Sequence, residues 1–175
     1  MRRQLRGVLG VLLVVGVSFA FAAPAPAQTS GNETLDVVLV VRDLSGTRTV
    51  LGSVVIARGA FSGVGRIVEV ANQPGDPDNV LRDDLVFADG SMHLISTTLD
   101  FAVSVDPRSC IVSVTVQQSG SIVGGTGRFA AASGSFTGTL SGRGLARRNS
   151  DGSCSQEQAL RFEVDKISET GTLSF

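Results

Sequence analysis

The sequence predicts an all-β protein, built as a single closed antiparallel β-barrel of about eight strands, with a two-sheet β-sandwich as the alternative. Runs rich in Val, Ile, Thr and Phe recur along the chain, and Gly, Ser and Asp separate them at intervals of roughly 8–15 residues. No window keeps the i, i+3, i+4, i+7 apolar spacing of a surface helix. The class is therefore all-β, and many short, evenly spaced strands are typical of a barrel or a sandwich.

The predicted strands follow one another from residue 35 to residue 175. The first five are Leu35–Val41, Thr49–Ala57, Phe61–Ala71, Val80–Ala88 and Ser91–Thr97. The others are Leu99–Val105, Cys110–Gln118, Gly134–Gly142, Ala159–Ile167 and the short Gly171–Phe175. β-branched and aromatic residues favour the extended backbone in each of these segments.

Residues 1–27 are predicted to be a secretory signal peptide. A basic start precedes an apolar run of about ten residues, and Ala25-Pro26-Ala27 offers the small residues of a cleavage site. An uncleaved anchor is the alternative, although a spanning helix needs ~20 apolar residues. The Arg2-Arg3 pair also fits twin-arginine export. Cleavage leaves residues 28–175 as one exported domain, secreted or held in the cell envelope, with no membrane segment.

The charge balance argues against a nucleic-acid partner. The signal peptide holds three of the 15 basic residues and none of the 16 acidic ones, so the exported domain carries a net charge of −4. A nucleic-acid face needs a clustered basic surface. The best cluster here, Arg143 with Arg147 and Arg148, lies beside a predicted loop and is interpreted as solvated. A monomer or a homodimer is expected.

Cys110 and Cys154 are the two cysteines of the chain, and two cysteines in an exported protein usually form a disulfide. The bridge closes a loop of about 45 residues and is worth roughly 4 kcal/mol if it is unstrained. No Cys-x-x-Cys motif is present, so we expect a structural bridge. With one histidine and two cysteines in the chain, no metal site and no cofactor are expected.

The segment SIVGGTGRFAAASGSFTGTLSGRG, Ser121–Gly144, contains a loose dinucleotide-binding fingerprint at Gly125, Gly127 and Ala130. That fingerprint must open a helix, whereas the composition of SGSFTGTLSG favours a strand. We therefore predict that the glycines serve the backbone. Three of them permit tight turning, and four others share one strand face, where they allow a bend or a close approach of another backbone. These are Gly124, Gly125 and Gly127, and then Gly134, Gly138, Gly142 and Gly144.

This segment resembles the signature of the allene oxide cyclase barrel-like and dirigent-like group. The matching positions are Gly120, Gly124, Gly125, Gly127, Phe129, Ala132, Gly134 and Gly138, and DDLVFADGSM (Asp83–Met92) resembles the group's Phe-x-Asp-Gly hairpin. The resemblance implies a calycin-type, eight-stranded barrel with an apolar interior. For members that are enzymes it implies cofactor-free cyclisation or coupling of a bound molecule, steered by shape. Their functional carboxylates, arginines and tyrosines have no matching motif here, so the activity is not carried over.

The Asp89-Gly90 hairpin signal provides one candidate site. Pairing outward from this dipeptide puts Phe87 opposite Met92 and makes Asp84 a diagonal neighbour of His93, within hydrogen-bonding reach. An imidazole oriented by a carboxylate is a common general base. A surface pair without catalytic function is the alternative.

Two glutamates provide further candidates. Glu69 lies between two valines, and Glu163 lies between Phe162 and Val164. If the flanking side chains point outwards, each carboxylate enters the barrel, where burial raises its pKa and makes it an acid or a base. The alternative is that both face water on a half-buried strand.

Two classes of function follow. The first is an exported barrel that binds a small apolar molecule, or a shape-directed cyclase or isomerase of the same architecture. The second is a non-catalytic structural or interaction domain of the cell envelope. A carbohydrate-binding module fits less well, because the chain has neither Trp nor Tyr. An apolar internal pocket of ~300 Å³ or more favours the first class.

Overall fold

The computed structural model describes residues 28–44 and 47–175. The strands are β1 (Ser30–Leu44), β2 (Thr47–Gly59), β3 (Gly63–Val70), β4 (Val80–Phe87), β5 (Gly90–Val105), β6 (Ile111–Gly125), β7 (Ser133–Leu145) and β8 (Phe162–Ser174). Each strand pairs antiparallel with the next, and β8 pairs with β1, so the sheet closes into a barrel. The predicted closed eight-stranded barrel is confirmed. The predicted signal peptide, residues 1–27, lies outside the described residues.

A single turn of 3-10 helix, Gly127–Phe129, links β6 to β7. It is the one helical segment among the described residues, and β7 follows it antiparallel to β6. The dinucleotide fingerprint is therefore not followed by the helix that it needs. Gly124 and Gly127 have φ values of 116° and 57°, as turning glycines require. No helix in the described part of the chain is long and apolar enough to cross a bilayer.

The strands differ from the predicted ones in two places. Ser91–Thr97 and Leu99–Val105 form one strand, β5, with an irregularity between Thr98 and Asp100. Residues 162–174 likewise form one strand, because both β1 and β7 pair with them without a break. Continuous pairing on both sides overrides the turn-like composition of the SETG segment.

The β4–β5 hairpin has a different register from the one predicted. Phe87 pairs with Gly90, so Leu85 lies opposite Met92, and the predicted pairing of Phe87 with Met92 is wrong. Gly90 has a φ of 142°, and a Cβ there would lie 2.1 Å from the carbonyl oxygen of Thr126, so this position fits tightly against the β6–β7 connection. A shift of two residues leaves every side chain on its predicted face.

One end of the barrel is closed by aromatic side chains. Phe61 packs edge-on against Phe87 and Phe129, with ring centroids 4.9 Å and 5.0 Å apart, and Phe175 lies 5.4 Å from Phe129. The guanidinium of Arg128 lies 4.8 Å from the centroid of the Phe175 ring, a cation–π distance. The main apolar core begins at this cluster and continues into the barrel.

The opposite end is uneven. β3 and β4 have eight residues each, whereas the other strands have 13 to 16 and extend past them. β2 and β3 pair at three positions only, Val55 to Ala57. Beyond them, the hydroxyl of Ser53 bridges the two strands, accepting from the backbone N–H of Ile67 and donating to its carbonyl oxygen, both at 3.1 Å.

A disulfide fixes the connection between β7 and β8. Cys110 and Cys154 are bonded, with their Cα atoms 5.3 Å apart, so the predicted bridge is confirmed. Cys110 lies in the turn before β6, with a φ of 57°, and not at the start of a strand as predicted. Together with Val112 and Ala146 it forms a second, smaller core.

Candidate functional site: the barrel interior and its open end

The interior of the barrel holds a small cavity of about 40 Å³ between the aromatic cluster and the open end. Most of its wall is apolar, and the polar exceptions include Ser96, Gln118 and Glu169. At the open end, a wider recess of about 290 Å³ shares five lining residues with the cavity. We call this recess the mouth. The shared residues are Ile67, Leu81, Asp83, Leu140 and Ile167.

Glu169 is the ionisable residue at the inner end of this path. Its side chain points inward from β8 and is 2% exposed. The side-chain amide of Gln118 donates a hydrogen bond of 2.8 Å to Oε1 of Glu169. Burial raises the pKa of this carboxyl above its usual range, and the hydrogen bond from Gln118 offsets part of the rise. The site therefore keeps a neutral carboxylic acid to higher pH than an exposed glutamate does.

Glycines make room for this pair. Gly138 of β7 lies between Gln118 of β6 and Glu169 of β8 in the register. A Cβ at Gly120, on β6, would lie 3.5 Å from Oε1 of Glu169 and 3.1 Å from the side chain of Leu94. Of the four β7 glycines predicted to allow a bend or a close approach, Gly134 shows a close backbone, since a Cβ there would lie 2.2 Å from the carbonyl oxygen of Thr172, whereas a Cβ at Gly142 would first meet the side chain of Asp165.

A second buried carboxyl, Glu33, lies near the closed end of the barrel. Its Oε2 accepts a 2.8 Å hydrogen bond from the backbone N–H of Phe61, which anchors the β2–β3 turn. Its Oε1 has no hydrogen-bond partner among the described atoms. Burial raises the pKa of Glu33, against lowering contributions from backbone hydrogen bonds. We assign it a structural role, because it does not line the cavity or the mouth.

Glu69 and Glu163 occupy the open end of the barrel. In the alternation of their strands both share the inward side, Glu69 with Ile67 and Glu163 with Asp165. Glu69 is exposed and lines the mouth, and Glu163 is half-buried at the end of β8, opposite Gly144. Neither reaches the inner cavity next to Glu169. Their catalytic role stays a prediction.

The predicted His93–Asp84 pair forms on the outer face of the barrel. The two residues lie directly opposite each other, and Nδ1 of His93 is 2.6 Å from Oδ1 of Asp84. They line an outer cleft of about 300 Å³, together with Arg82 and apolar residues that include Val123. Neither His93 nor Asp84 lines the inner cavity or the mouth. Its role as a base stays a prediction.

Arg82, which borders the outer cleft, is held by Asp76 of the β3–β4 loop. Its Nε and Nη2 atoms donate to the two carboxylate oxygens, at 2.6 Å and 2.9 Å. The hydrogen bond from Arg82 lowers the pKa of Asp76 to about 2. The side chain of Arg82 therefore holds the β3–β4 loop in place through Asp76.

The basic cluster predicted to be a solvated loop has structural contacts at two of its members. Arg147 donates through Nη2 to the carbonyl oxygen and to Oδ1 of Asp43, both at 3.0 Å. Arg148 donates to the carbonyl oxygens of Gly152 and Arg108. Arg143 is exposed. Arg147 therefore attaches the β7–β8 connection to Asp43 of β1, and Arg148 attaches it to Arg108 in the β5–β6 turn.

Sequence reasoning missed Glu169 and Gln118. The inward alternation on β8 runs through Asp165, Ile167, Glu169, Gly171 and Leu173, and a strict period of two over this range was the signal that could have found it. The predicted strands, which ended at Ile167 and began again at Gly171, left Glu169 outside both.

Function has to be inferred from the geometry of the site itself. Within residues 28–44 and 47–175, no group of three or more His, Cys, Asp or Glu side chains is arranged to hold a metal ion. Neither a protein-family model, nor a curated protein, nor a solved structure matches this chain.

Proposed function

We propose that the barrel binds a small, largely apolar molecule through its open end, and that Glu169 contacts a polar atom of this ligand. The observation that carries the proposal is the placement of the buried Glu169 carboxyl group in a mostly apolar inner cavity, which the aromatic cluster closes on one side and which meets the more polar mouth on the other. A buried polar group in such a place costs folding free energy, which a ligand contact would explain.

The dimensions limit the ligand. The mouth, at about 290 Å³, is near the lower end of the ~300–1,000 Å³ range of small-molecule sites. The inner cavity, at about 40 Å³, has room for a narrow group or one to three water molecules, by the order of ~15 Å³ for each. The body of the ligand therefore lies in the mouth, and a narrow end reaches toward Glu169.

The protonated form of Glu169, which burial favours, suggests a chemistry. A neutral carboxylic acid donates a hydrogen bond, so the matching ligand atom is an acceptor such as a carbonyl or ether oxygen. In an enzyme the same proton serves general acid catalysis, while the walls restrict the ligand to one conformation. This is the cofactor-free cyclase or isomerase chemistry implied by the resemblance to the allene oxide cyclase barrel-like and dirigent-like group, and we include it in the proposal.

Native mass spectrometry of the exported protein tests the proposal, through the mass of a co-purified small molecule. A matched pair of variants then locates the site with that molecule or with an apolar fluorescent probe. Leu140→Trp fills the mouth, whereas Ser141→Trp adds the same side chain to the outer face of the same strand. We expect at least tenfold weaker binding for the first variant and unchanged binding for the second. Equal affinity in both variants would place the ligand elsewhere.

One observation favours a second candidate, a non-catalytic structural domain of the cell envelope. The closed half of the barrel is filled by its own side chains, including Phe129 and Leu85, both fully buried. A ligand is not needed to complete this part of the core. A protein that purifies without a ligand, and that binds no apolar probe in the mouth, would favour this candidate over the first.

A further inference from the structure

The C-terminal half of β5 has a neighbouring strand on one side only. β4 pairs with β5 as far as Thr97, whereas β6 continues to Val105. Within the described residues, no strand lies on the other side of Leu99–Val105. We call this segment the free edge. A free edge presents alternate N–H and C=O groups to solvent, and another extended strand can pair with them.

The hydrogen bonds show which groups point outward. The N–H of Asp106 donates to Ile111 across the β5–β6 turn, so even-numbered residues on this part of β5 direct their N–H toward β6. Odd-numbered residues therefore direct theirs toward the free edge. In agreement, the N–H of Phe101 is bonded to the adjacent carboxylate of Asp100, at 2.9 Å, and not to β6.

The free edge is also apolar. Leu99, Phe101 and Val103 are 63%, 67% and 54% exposed. Natural proteins usually protect such edges with Lys, Pro or several charged side chains. Here an irregularity at Leu99 and the single acid Asp100 are the only such features of the segment. An apolar edge of this kind is typical of a surface that pairs with another strand.

We propose that the free edge pairs with the same segment of a second copy of this chain, antiparallel and around a two-fold axis at Ala102. Ala102 is the middle residue of Leu99–Val105, so this axis pairs the whole segment, and another centre leaves one end unpaired. Phe101 then faces Val103 of the second copy, and both have outward N–H groups. Such isologous pairing is the usual form of a dimer interface.

Charge is compatible with this register. The one charged residue of the free edge, Asp100, lies opposite the neutral Ser104 of the second copy, so no two like charges face each other directly. The other free edge of the barrel, at the start of β2, is a poorer site because Ser53 already bridges it to β3. A second copy at β5 is therefore the favoured occupant.

The exposed apolar area determines the strength of the dimer. The three large side chains offer on the order of 300 Å² in each copy, less than the ~800 Å² per partner of a stable interface. The dimer is therefore weak and forms as the concentration rises.

Sedimentation velocity from about 1 μM to about 1 mM tests the proposal. We expect the wild-type weight-average coefficient to rise with concentration, and Phe101→Lys to raise the dissociation constant about tenfold or more. Val64→Lys, at a similarly exposed strand position (69%), is the matched control and is expected to behave like wild type. A monomer at every concentration, or equal effects of the two substitutions, would overturn the proposal.

Disulfide trapping tests the register without relying on Phe101. Ala102 lies opposite its own copy in a non-hydrogen-bonded pair, with Cα atoms about 4.5 Å apart, so Ala102→Cys should give a cross-linked dimer under mild oxidation. Ser104→Cys places the two sulfurs four residues apart, about 13 Å, and should remain monomeric. Circular dichroism confirms folding of each variant. Cross-linking at 104 as efficient as at 102 would exclude this two-fold pairing.

Discussion

Gln118 and Glu169 lie on strands that are not neighbours, and the hydrogen bond between their side chains crosses β7. Gly138 is the β7 residue between them, paired with Gln118 on one side and Glu169 on the other. A Cβ at Gly138 would lie 2.7 Å from Cγ of Glu169 and 2.2 Å from the carbonyl oxygen of Ser168. The missing side chain of one glycine thus permits the polar contact in the interior.

Gly138→Ala is therefore expected to lower the free energy of unfolding by about 1–3 kcal/mol, because backbone and Glu169 must shift to admit the methyl group. Urea denaturation measures the change. Gly52→Ala is the control, since a Cβ at that strand position meets no atom within 4 Å. It is expected to leave stability unchanged or slightly raised. Similar losses in both variants would show that the effect is not specific to the crossing of β7.

The raised pKa of Glu169 predicts a pH dependence of stability. The folded protein holds this proton more tightly than the unfolded chain does, so the contribution is full below the usual pKa of 4.5 and is lost as pH rises through the folded value. Glu169→Gln removes that decline. Between pH 4 and pH 8 we expect the unfolding free energy of the variant to fall less than that of wild type. Glu157→Gln, at an exposed position, is the control. Parallel profiles for Glu169→Gln and wild type would contradict the assignment.

The aromatic cluster predicts that two phenylalanines differ sharply in importance. Phe129 is fully buried at the closed end, and Phe129→Ala should lower the unfolding free energy by about 3–5 kcal/mol. Phe101→Ala, at an exposed position, should change it by about 0.5 kcal/mol or less at micromolar concentration. Thermal or urea unfolding measures both. Comparable losses would mean that the closed end is not the centre of the core.

Removal of the Cys110–Cys154 bridge should destabilise the protein by about 2–4 kcal/mol, because the unfolded chain regains the freedom of a loop of 44 residues. The double variant Cys110→Ser, Cys154→Ser is compared with wild type by urea unfolding, with and without reductant. Reductant should lower the stability of wild type to that of the variant and leave the variant unchanged. A variant that responds to reductant would point to another cause.

His93→Ala should not affect binding in the interior. His93 and Asp84 are on the outer face and line the outer cleft but not the mouth, although Val70, Arg82 and Asp83 line both. We expect the affinity for an apolar probe to stay within about twofold of wild type, a difference of ~0.4 kcal/mol, in a fluorescence titration. A tenfold loss would mean that the outer cleft, and not the mouth, holds the probe.

The fold could be predicted because each strand has its own residue pattern. Contacts between residues that are far apart in the chain leave no such pattern in the sequence. The composition of residues 35–41 and 49–57 alone predicts strands. The β4–β5 register depended on the contact of Gly90 with the Thr126 carbonyl, which lies 36 residues away in the chain and leaves no local trace. Glu169 had a local signal in the alternation of β8, but its partner Gln118 lies 51 residues away in the chain, and the two meet only when β6, β7 and β8 pair.

The seam between β2 and β3, with three residue pairs, is the part of the cylinder that thermal motion separates most easily, because the fewest backbone bonds must break there. Ile67 and Glu69 border both this seam and the mouth. Parting of the two strands on the mouth side of these three pairs would widen the entrance and leave the disulfide and the aromatic end intact. The largest ligand that the protein can admit is therefore larger than the volume of the mouth in this structure indicates.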